Sequence, residues 1–271
     1  MRQTQALLVI ADISGYTRFM KLHATSLLHA EEIITELLEA VIDGMEYPLM
    51  IAKLEGDAVF MYAEVPTGQE RPAADSLHVQ INRMFTGFYT RSQALVGSRH
   101  GCFCEACTHI ADLKLKMIVH YGTVAIKQIR GFTEIAGAEV ILLHRLLKNS
   151  VQSREYVLMT PVAQALIGDY EGLTAERRVE QIDDFGALPV HVYYPKISVD
   201  AATVPVISAA AFIERLTAHT RARAFDQQPA PEFHHLQTGK VSRVTIFVET
   251  FTVRVMMLLQ SLGIRTIKQS L

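Results

Sequence analysis

The period of the apolar positions changes from element to element along the chain. From Ala6 to Ile13 the run is almost unbroken and partly β-branched, which predicts a buried strand ended by the Ser14-Gly15 turn. Tyr16 to His23 reads as a short helix. A longer helix follows, with Ile33, Ile34, Leu37, Leu38, Val41 and Ile42 at helical spacing beside Glu31, Glu32, Glu36 and Glu39. Pro48–Leu54 and Ala58–Ala63 are strand-like runs joined by Glu55-Gly56-Asp57, a hairpin signal. Pro66–Pro72 is a loop and Ala73–Val96 a helix. A second pair of strands is expected at Leu113–His120 and Thr123–Ile129, turning at Tyr121-Gly122. Gly137–Lys148 is helical, and Tyr156–Thr160 is a strand. Pro161 opens a short helix, and Val190–Tyr194 is the last strand. The order β-α-α-β-β-α-β-β-α-β-α-β predicts an α+β sandwich, with helices covering a largely antiparallel sheet.

Past Pro195 the composition shifts. Residues 1–197 are expected to form the body and 198–271 a C-terminal helical extension. The extension divides into helices near Ala209–Phe225 and Val241–Leu262, with a linker about 226–240 around Gln227-Gln228-Pro229-Ala230-Pro231. The second helix and its tail carry Arg243, Arg254, Arg265 and Lys268, and these charges argue against a bilayer span. Its apolar stripe fits packing on the body or on a second copy. The basic excess fits a peripheral membrane surface or a partner helix.

Composition narrows the class. Hydrophobic residues are 49% and charged residues 20%, a globular balance that excludes wholesale disorder. A net charge of −2 gives no reason to expect nucleic-acid binding. The N-terminal segment, interrupted by Asp12, is neither a signal peptide nor a membrane span, so a cytoplasmic protein is expected. All three cysteines fall in one short stretch, Cys102-x-Cys104-x-x-Cys107, between His100 and His109, inside an apparent insertion at about 98–110. With His109 or His100 as fourth ligand they could hold a structural Zn²⁺. Free or redox-active thiols and an iron–sulfur ligand set are the alternatives.

Two carboxylates carry the chemical signal. Strand alternation puts Asp12 on the face of Leu8 and Ile10, at the end of a row meant for burial. A charge there needs a cation, either a structural Arg or Lys or a metal. Asp57 sits in the hairpin turn after Gly56, where a short carboxylate can be aimed across the sheet edge. Two carboxylates from adjacent strands, completed by phosphate oxygens, suit Mg²⁺ or Mn²⁺. A pair of such ions serves in-line displacement at phosphorus.

These residues sit in motifs that resemble the class III adenylyl and guanylyl cyclase catalytic domain over roughly residues 5 to 196. Ala11-Asp12-Ile13-Ser14-Gly15-Tyr16-Thr17 is similar to the family's first metal-binding motif, whose backbone turn cradles phosphates. Lys53-Leu54-Glu55-Gly56-Asp57 resembles the hairpin that holds the second metal-binding Asp. His120-Tyr121-Gly122 matches an H-x-G turn. Glu134-Ile135-Ala136-Gly137, with Val140 and Arg145, is similar to the segment that supplies an acidic base-reader and an Arg.

The resemblance implies a ferredoxin-like nucleotide cyclase sandwich. It implies Asp12 and Asp57 as ligands of two Mg²⁺ or Mn²⁺ ions, and a phosphate cradle of Ile13, Ser14, Gly15, Tyr16 and Thr17. Lys53 and Glu134 would read the purine across a dimer interface, and Arg145 would stabilise charge in the transition state. A Lys donor and an acidic acceptor suit adenine, so ATP is expected over GTP. The partner is an identical chain or a complementary cyclase-like one. Taken by themselves, Lys53 and Glu134 also fit exposed hairpin and loop charges, and Arg145 fits a surface pair with Glu139. Two positions depart from the pattern. Ile141 stands where the family has Asn, and Ala187, in an expected loop before the last strand, stands where it has a triphosphate-binding Lys. Two functions therefore follow: a cyclase forming cyclic AMP, or a nucleotide-binding or dimerising module without turnover.

Overall fold

The computed structural model describes residues 1–22, 27–66, 68–98 and 105–196. The proposed C-terminal extension, its linker and its two helices lie outside these residues. The described chain forms β1 (Arg2–Ser14), α1 (Tyr16–Leu22), α2 (Leu27–Ile42), β2 (Met50–Leu54), β3 (Ala58–Glu64), α3 (Glu70–Ser98) and α4 (Glu105–Thr108). It continues with β4 (Lys114–Ile129), β5 (Phe132–Ala136), α5 (Ala138–Leu146), β6 (Tyr156–Met159), α6 (Pro161–Ile167), β7 (Glu176–Ile182) and β8 (Gly186–Tyr193).

The strands make one sheet in the order β2-β3-β1-β4-β6-β8-β7, with β5 paired to β4. Every pairing is antiparallel except β4 with β6. β1 is an inner strand, which explains its unbroken apolar run: both its faces are covered. Leu7, Val9, Ala11 and Ile13 pack with Ile33, Ile34 and Leu37 of α2 and with Ile81, Phe85 and Phe88 of α3. Leu8 and Ile10 face the other way, onto Leu142, Leu143 and Leu146 of α5. Phe85 and Phe88 are fully buried, and burial of a side chain of that size contributes about 1.5–3 kcal/mol. The α+β sandwich expected from the pattern is thus observed.

One expected turn is absent. Tyr121-Gly122 does not separate two strands, because β4 runs through it as a single strand of 16 residues. The chain reverses instead at Arg130 and Gly131, both with positive φ, and returns as β5. Gly122 meets a packing need. A Cβ on it would lie 2.7 Å from Glu139 Cγ and 3.1 Å from His120 Nε2. The missing side chain leaves room for a contact between the buried His120 and Glu139, 2.6 Å apart, while the other ring nitrogen meets the Thr160 hydroxyl at 2.8 Å. Burial lowers the His120 pKa and Glu139 opposes that shift. The pattern also hides β7, whose residues alternate polar and apolar weakly, and so it places Ala187 in a loop. Ala187 lies on β8, opposite Gln181 of β7.

Candidate functional site

At the C-terminal end of β1, three strands bring charge together. Asp12 is in register with Ala58 on β3 and with Lys116 on β4. Asp57 immediately precedes β3, in a turn closed by the Glu55 N–H donating to the Ala58 carbonyl at 2.8 Å. The Asp57 carbonyl accepts from the Ile13 N–H at 2.9 Å, which stitches the hairpin tip to the end of β1. The two carboxylates, forty-odd positions apart in the chain, therefore share one cleft. Gly15, with φ near +98°, makes the turn from β1 into α1, and its carbonyl accepts from the Phe19 N–H at 2.9 Å.

The cleft has a volume of roughly 370 Å³, within the range of small-ligand sites. Its walls are the run from Asp12 to Arg18, Asp57, Lys116 and the loop that joins α5 to β6, including Asn149 and Arg154. Every residue of the expected phosphate cradle, Ile13 through Thr17, lines it.

Its electrostatics are those of a site with too little positive charge beside the carboxylates. Burial raises the Asp12 pKa, and Lys116 Nζ, 3.3 Å from Asp12 Oδ1, pulls it back. Burial and then the Asp12 charge push Asp57 up to about 6. Two carboxylates in this relation favour a cation between them. The donor set is all oxygen, and it leaves coordination positions for water and phosphate, as Mg²⁺ and Mn²⁺ require. Residues Asp12 and Asp57 thus fit a divalent ion. Among the described residues no cluster of three or more His, Cys, Asp or Glu side chains gathers to hold a metal. A pair of carboxylates that shares its ion with a ligand needs none.

The remaining sequence-derived candidates lie elsewhere. Lys53, on β2, has a side chain 68% exposed and pairs with Glu55 at 3.3 Å. Glu134 is exposed on β5, opposite Lys127. Arg145, in the last turn of α5, reaches Asp184 at 3.3 Å and Asp183 at 3.7 Å. The alternative pairing of Arg145 with Glu139 is therefore incorrect, since Glu139 is turned to His120. None of Lys53, Glu134 and Arg145 lines the cleft of its own chain. Ile141 is 54% exposed on α5. Cys107 is buried on α4 and His109 follows that helix, whereas Cys102, Cys104 and His100 lie outside the described residues.

The sequence reading did not single out Lys116, Arg18 or Arg154. Lys116 carries a usable signal: it shares its parity on β4 with Ile118 and His120, both buried, so a charged group stands in an inward row. Arg154 carries none, because a loop arginine is ordinary until its surroundings are seen.

A family model described as a protein of unknown function (DUF2652) matches residues 34–156. The uncharacterized protein Rv2561/Rv2562 of Mycobacterium tuberculosis (strain ATCC 25618 / H37Rv) is 35% identical over 152 residues, covering 52% of this chain and 68% of that protein. Among solved structures, the adenylyl cyclase CyaB from P. aeruginosa matches with a TM-score of 0.50 at 18% identity, over 73% of this chain and 98% of that one. The guanylyl cyclase Cya2 matches with a TM-score of 0.51 at 14% identity, over 72% and 94%. The fold is that of the class III cyclase catalytic domain. No helix among the described residues is long and apolar enough to cross a membrane.

Proposed function

This chain belongs to one family with the Mycobacterium tuberculosis protein Rv2561/Rv2562, and from its cyclase fold we propose that it is a purine nucleotide cyclase, forming cyclic AMP and pyrophosphate from ATP in preference to GTP. The observation that carries the proposal is the meeting of Asp12 and Asp57 in one cleft, with Asp57 pushed up to about 6.

In this reading Asp12 and Asp57 hold two Mg²⁺ or Mn²⁺ ions. When bound, the ions neutralise phosphate charge and make the ribose 3′-hydroxyl easier to deprotonate. The 3′-oxygen bonds to the α-phosphorus, the bond to the pyrophosphate oxygen breaks, and the hydroxyl proton leaves to solvent or a nearby base. The chain itself holds the reactants in place. The turn at Gly15 presents backbone to the phosphates, and Lys116 exchanges part of its contact with Asp12 for a phosphate oxygen. Lys53, Glu134 and Arg145 line no part of their own cleft, which supports their acting on the cleft of a partner, an identical chain or a complementary cyclase-like one. There Lys53 and Glu134 would read adenine, and Arg145 would meet charge on the transferring phosphorus. Its present partners, Asp183 and Asp184, are exposed and give it up at little cost.

A second reading is a nucleotide-binding or dimerising regulatory module without turnover. Ile141 favours it, an aliphatic side chain where the resemblance expects an amide, as does Ala187 within a strand where it expects a Lys. Loss of one preorganised donor costs about 10²–10³ in rate. Purified protein incubated with Mn²⁺ and ATP, and separately GTP, decides between them. Cyclic nucleotide that disappears in Asp57→Asn supports the cyclase. A folded protein that binds ATP and yields no product from either nucleotide at high concentration supports the module.

A binding site for Zn²⁺ made by Cys102, Cys104, Cys107 and His109 remains part of the proposal for the insertion, tested by metal analysis of the purified chain. For the extension, we propose a contact with a partner or a membrane surface. Removal of residues after Gln227 with no change in partition would remove it.

A further inference from the structure

One histidine joins helix α5 to the β2–β3 hairpin. His144 Nδ1 lies 2.8 Å from the carbonyl of Val140, one turn back in the same helix. A carbonyl oxygen only accepts, so Nδ1 carries the proton. On the far side of the ring, Nε2 stands 3.3 Å from Glu55 Oε2. A neutral imidazole protonated at Nδ1 turns an Nε2 lone pair toward that carboxylate. The imidazolium satisfies both contacts at once. Phe60 of β3 fixes the plane of the ring in a T-shaped contact, 5.1 Å between centroids.

Glu55 holds a second cation. Its Oε1 is 3.3 Å from Nζ of Lys53, the residue given above to the purine. The edge strand β2 is irregular between Ile51 and Lys53, and beyond that point Lys53 stands in register with Phe60. Such an irregularity re-aims the side chains beside it. Directly opposed residues share one face of a sheet, and Phe60 lies in the core that Leu143 and Leu146 of α5 complete. Lys53 therefore leaves β2 on the side that α5 covers. Its side chain is long and exposed, whereas that of Glu55 is 24% exposed and springs from the turn held by the bond to Ala58. Glu55, clasped by the imidazolium, is the fixed end of the pair.

We infer that His144, in its doubly protonated form, is a positioning residue that sets Lys53 for purine reading by anchoring Glu55. The inference rests on the nucleotide reading above and deepens it by naming what orders the contact with the base. Loss of the second imidazole proton frees the carboxylate from α5, and the ammonium must then be ordered when the base arrives. Charged groups on the strands packed against α5 are engaged elsewhere, Asp12 with Lys116 and Glu180 with Arg178, while Glu134 of β5 is exposed opposite Lys127. On α5 itself, Glu139 meets His120, and Arg145 meets Asp183 and Asp184. Asp57, on the same hairpin as Glu55, lines the cleft, which neither His144 nor Glu55 does.

The test is calorimetric titration of the full chain in Mn²⁺, from about pH 5.5 to about pH 8, across the ordinary range of an imidazole. One ligand is α,β-methylene-ATP, which cannot be cyclised, and the other is inorganic tripolyphosphate, which has no base. The ratio of the two affinities removes what metal binding and phosphate protonation do to both. In the wild type this ratio is expected to fall about 2- to 10-fold as pH rises and the imidazolium is lost. His144→Ala and Glu55→Gln should show the low ratio at every pH. His144→Lys, which keeps a cation, should retain the high ratio without the pH step. In Lys53→Ala the ratio should be low, and adding His144→Ala should lower it no further. A wild-type ratio that ignores pH, a pH step that survives in His144→Ala or Glu55→Gln, or an equal loss for tripolyphosphate would overturn the inference and leave the nucleotide reading standing. If the wild-type chain binds neither ligand, the nucleotide reading fails and takes the inference with it.

Discussion

Lys116 on β4 and Asp12 on β1 are cross-strand partners, with Nζ and Oδ1 3.3 Å apart and both side chains less than a fifth exposed. The pair gives Asp12 a counter-charge, whereas at Asp57 the pull of the same lysine is outweighed by burial and by the Asp12 charge.

Removing the lysine should expose that dependence. Lys116→Met leaves a largely buried carboxylate uncompensated, and urea unfolding at pH 7 is expected to show a loss of about 2–4 kcal/mol. Asp12→Asn combined with Lys116→Met should recover most of it, because the charge that needed a partner is gone. Equal stability of the single variant and wild type would show that the pair behaves as a surface contact.

Asp57 predicts a pH dependence. Its folded pKa of about 6 lies above the ordinary value of 3.8, so the folded state binds the proton more tightly than the unfolded one. Below about 3.8 this group costs the fold nothing, and stability falls as pH rises from there through about 6, after which the loss is constant. Allowing for solvent in an open cleft, the fall is about 1–2 kcal/mol. Asp57→Asn should flatten this component of the stability profile, and millimolar Mn²⁺ should restore stability to wild type at pH 7 and not to the variant. A wild-type profile that rises over that pH window relative to Asp57→Asn contradicts the environment described for Asp57.

Gly122 predicts a packing defect. Gly122→Ala places a methyl 2.7 Å from Glu139 Cγ, so either the His120–Glu139 contact opens or β4 shifts. Thermal unfolding should report a loss of about 1–3 kcal/mol. In Glu139→Ala the same methyl should cost much less, since its obstacle has been removed. Additive losses would place the strain elsewhere.

Glu180 predicts coupling between the far edge of the sheet and the cleft. Glu180→Ala leaves the Ser150 N–H without its acceptor and removes the Arg178 contact at 3.3 Å. A cost of about 2–3 kcal/mol is expected from chemical denaturation. Hydrogen exchange should quicken at residues 149–154 more than in β1 or β4. Uniform quickening across the sheet would mean that Glu180 supports the fold generally and not this loop.

Much of the fold was legible because its signals are local. The inner strand at Ala6–Ile13, the amphipathic helix with Ile33, Leu37 and Val41, and the Glu55-Gly56-Asp57 hairpin each carry their own period or turn chemistry. The H-x-G segment misled for an equally physical reason. Glycine in a run of β-formers commonly marks a turn, yet Gly122 is there to admit the side chain of Glu139, seventeen residues further on. β7 escaped because an edge strand with one exposed face, Glu-Arg-Arg-Val-Glu-Gln-Ile, lacks the apolar density that marks an inner one.

Sequence alone determined which residues bear charge in rows meant for burial. Asp12 after Leu8 and Ile10, and Asp57 in a two-strand turn, were conspicuous because a carboxylate in such a place requires a partner. Tertiary structure decided who the partners are. Register between β1 and β4 sets Lys116 opposite Asp12, the hydrogen bond from Ile13 to Asp57 draws the hairpin to the same strand end, and Glu180 fastens the loop that lays Arg154 over Gly15. Each of these depends on contacts between segments distant in the chain, and Coulomb energy depends on separation in space, which residue order does not contain.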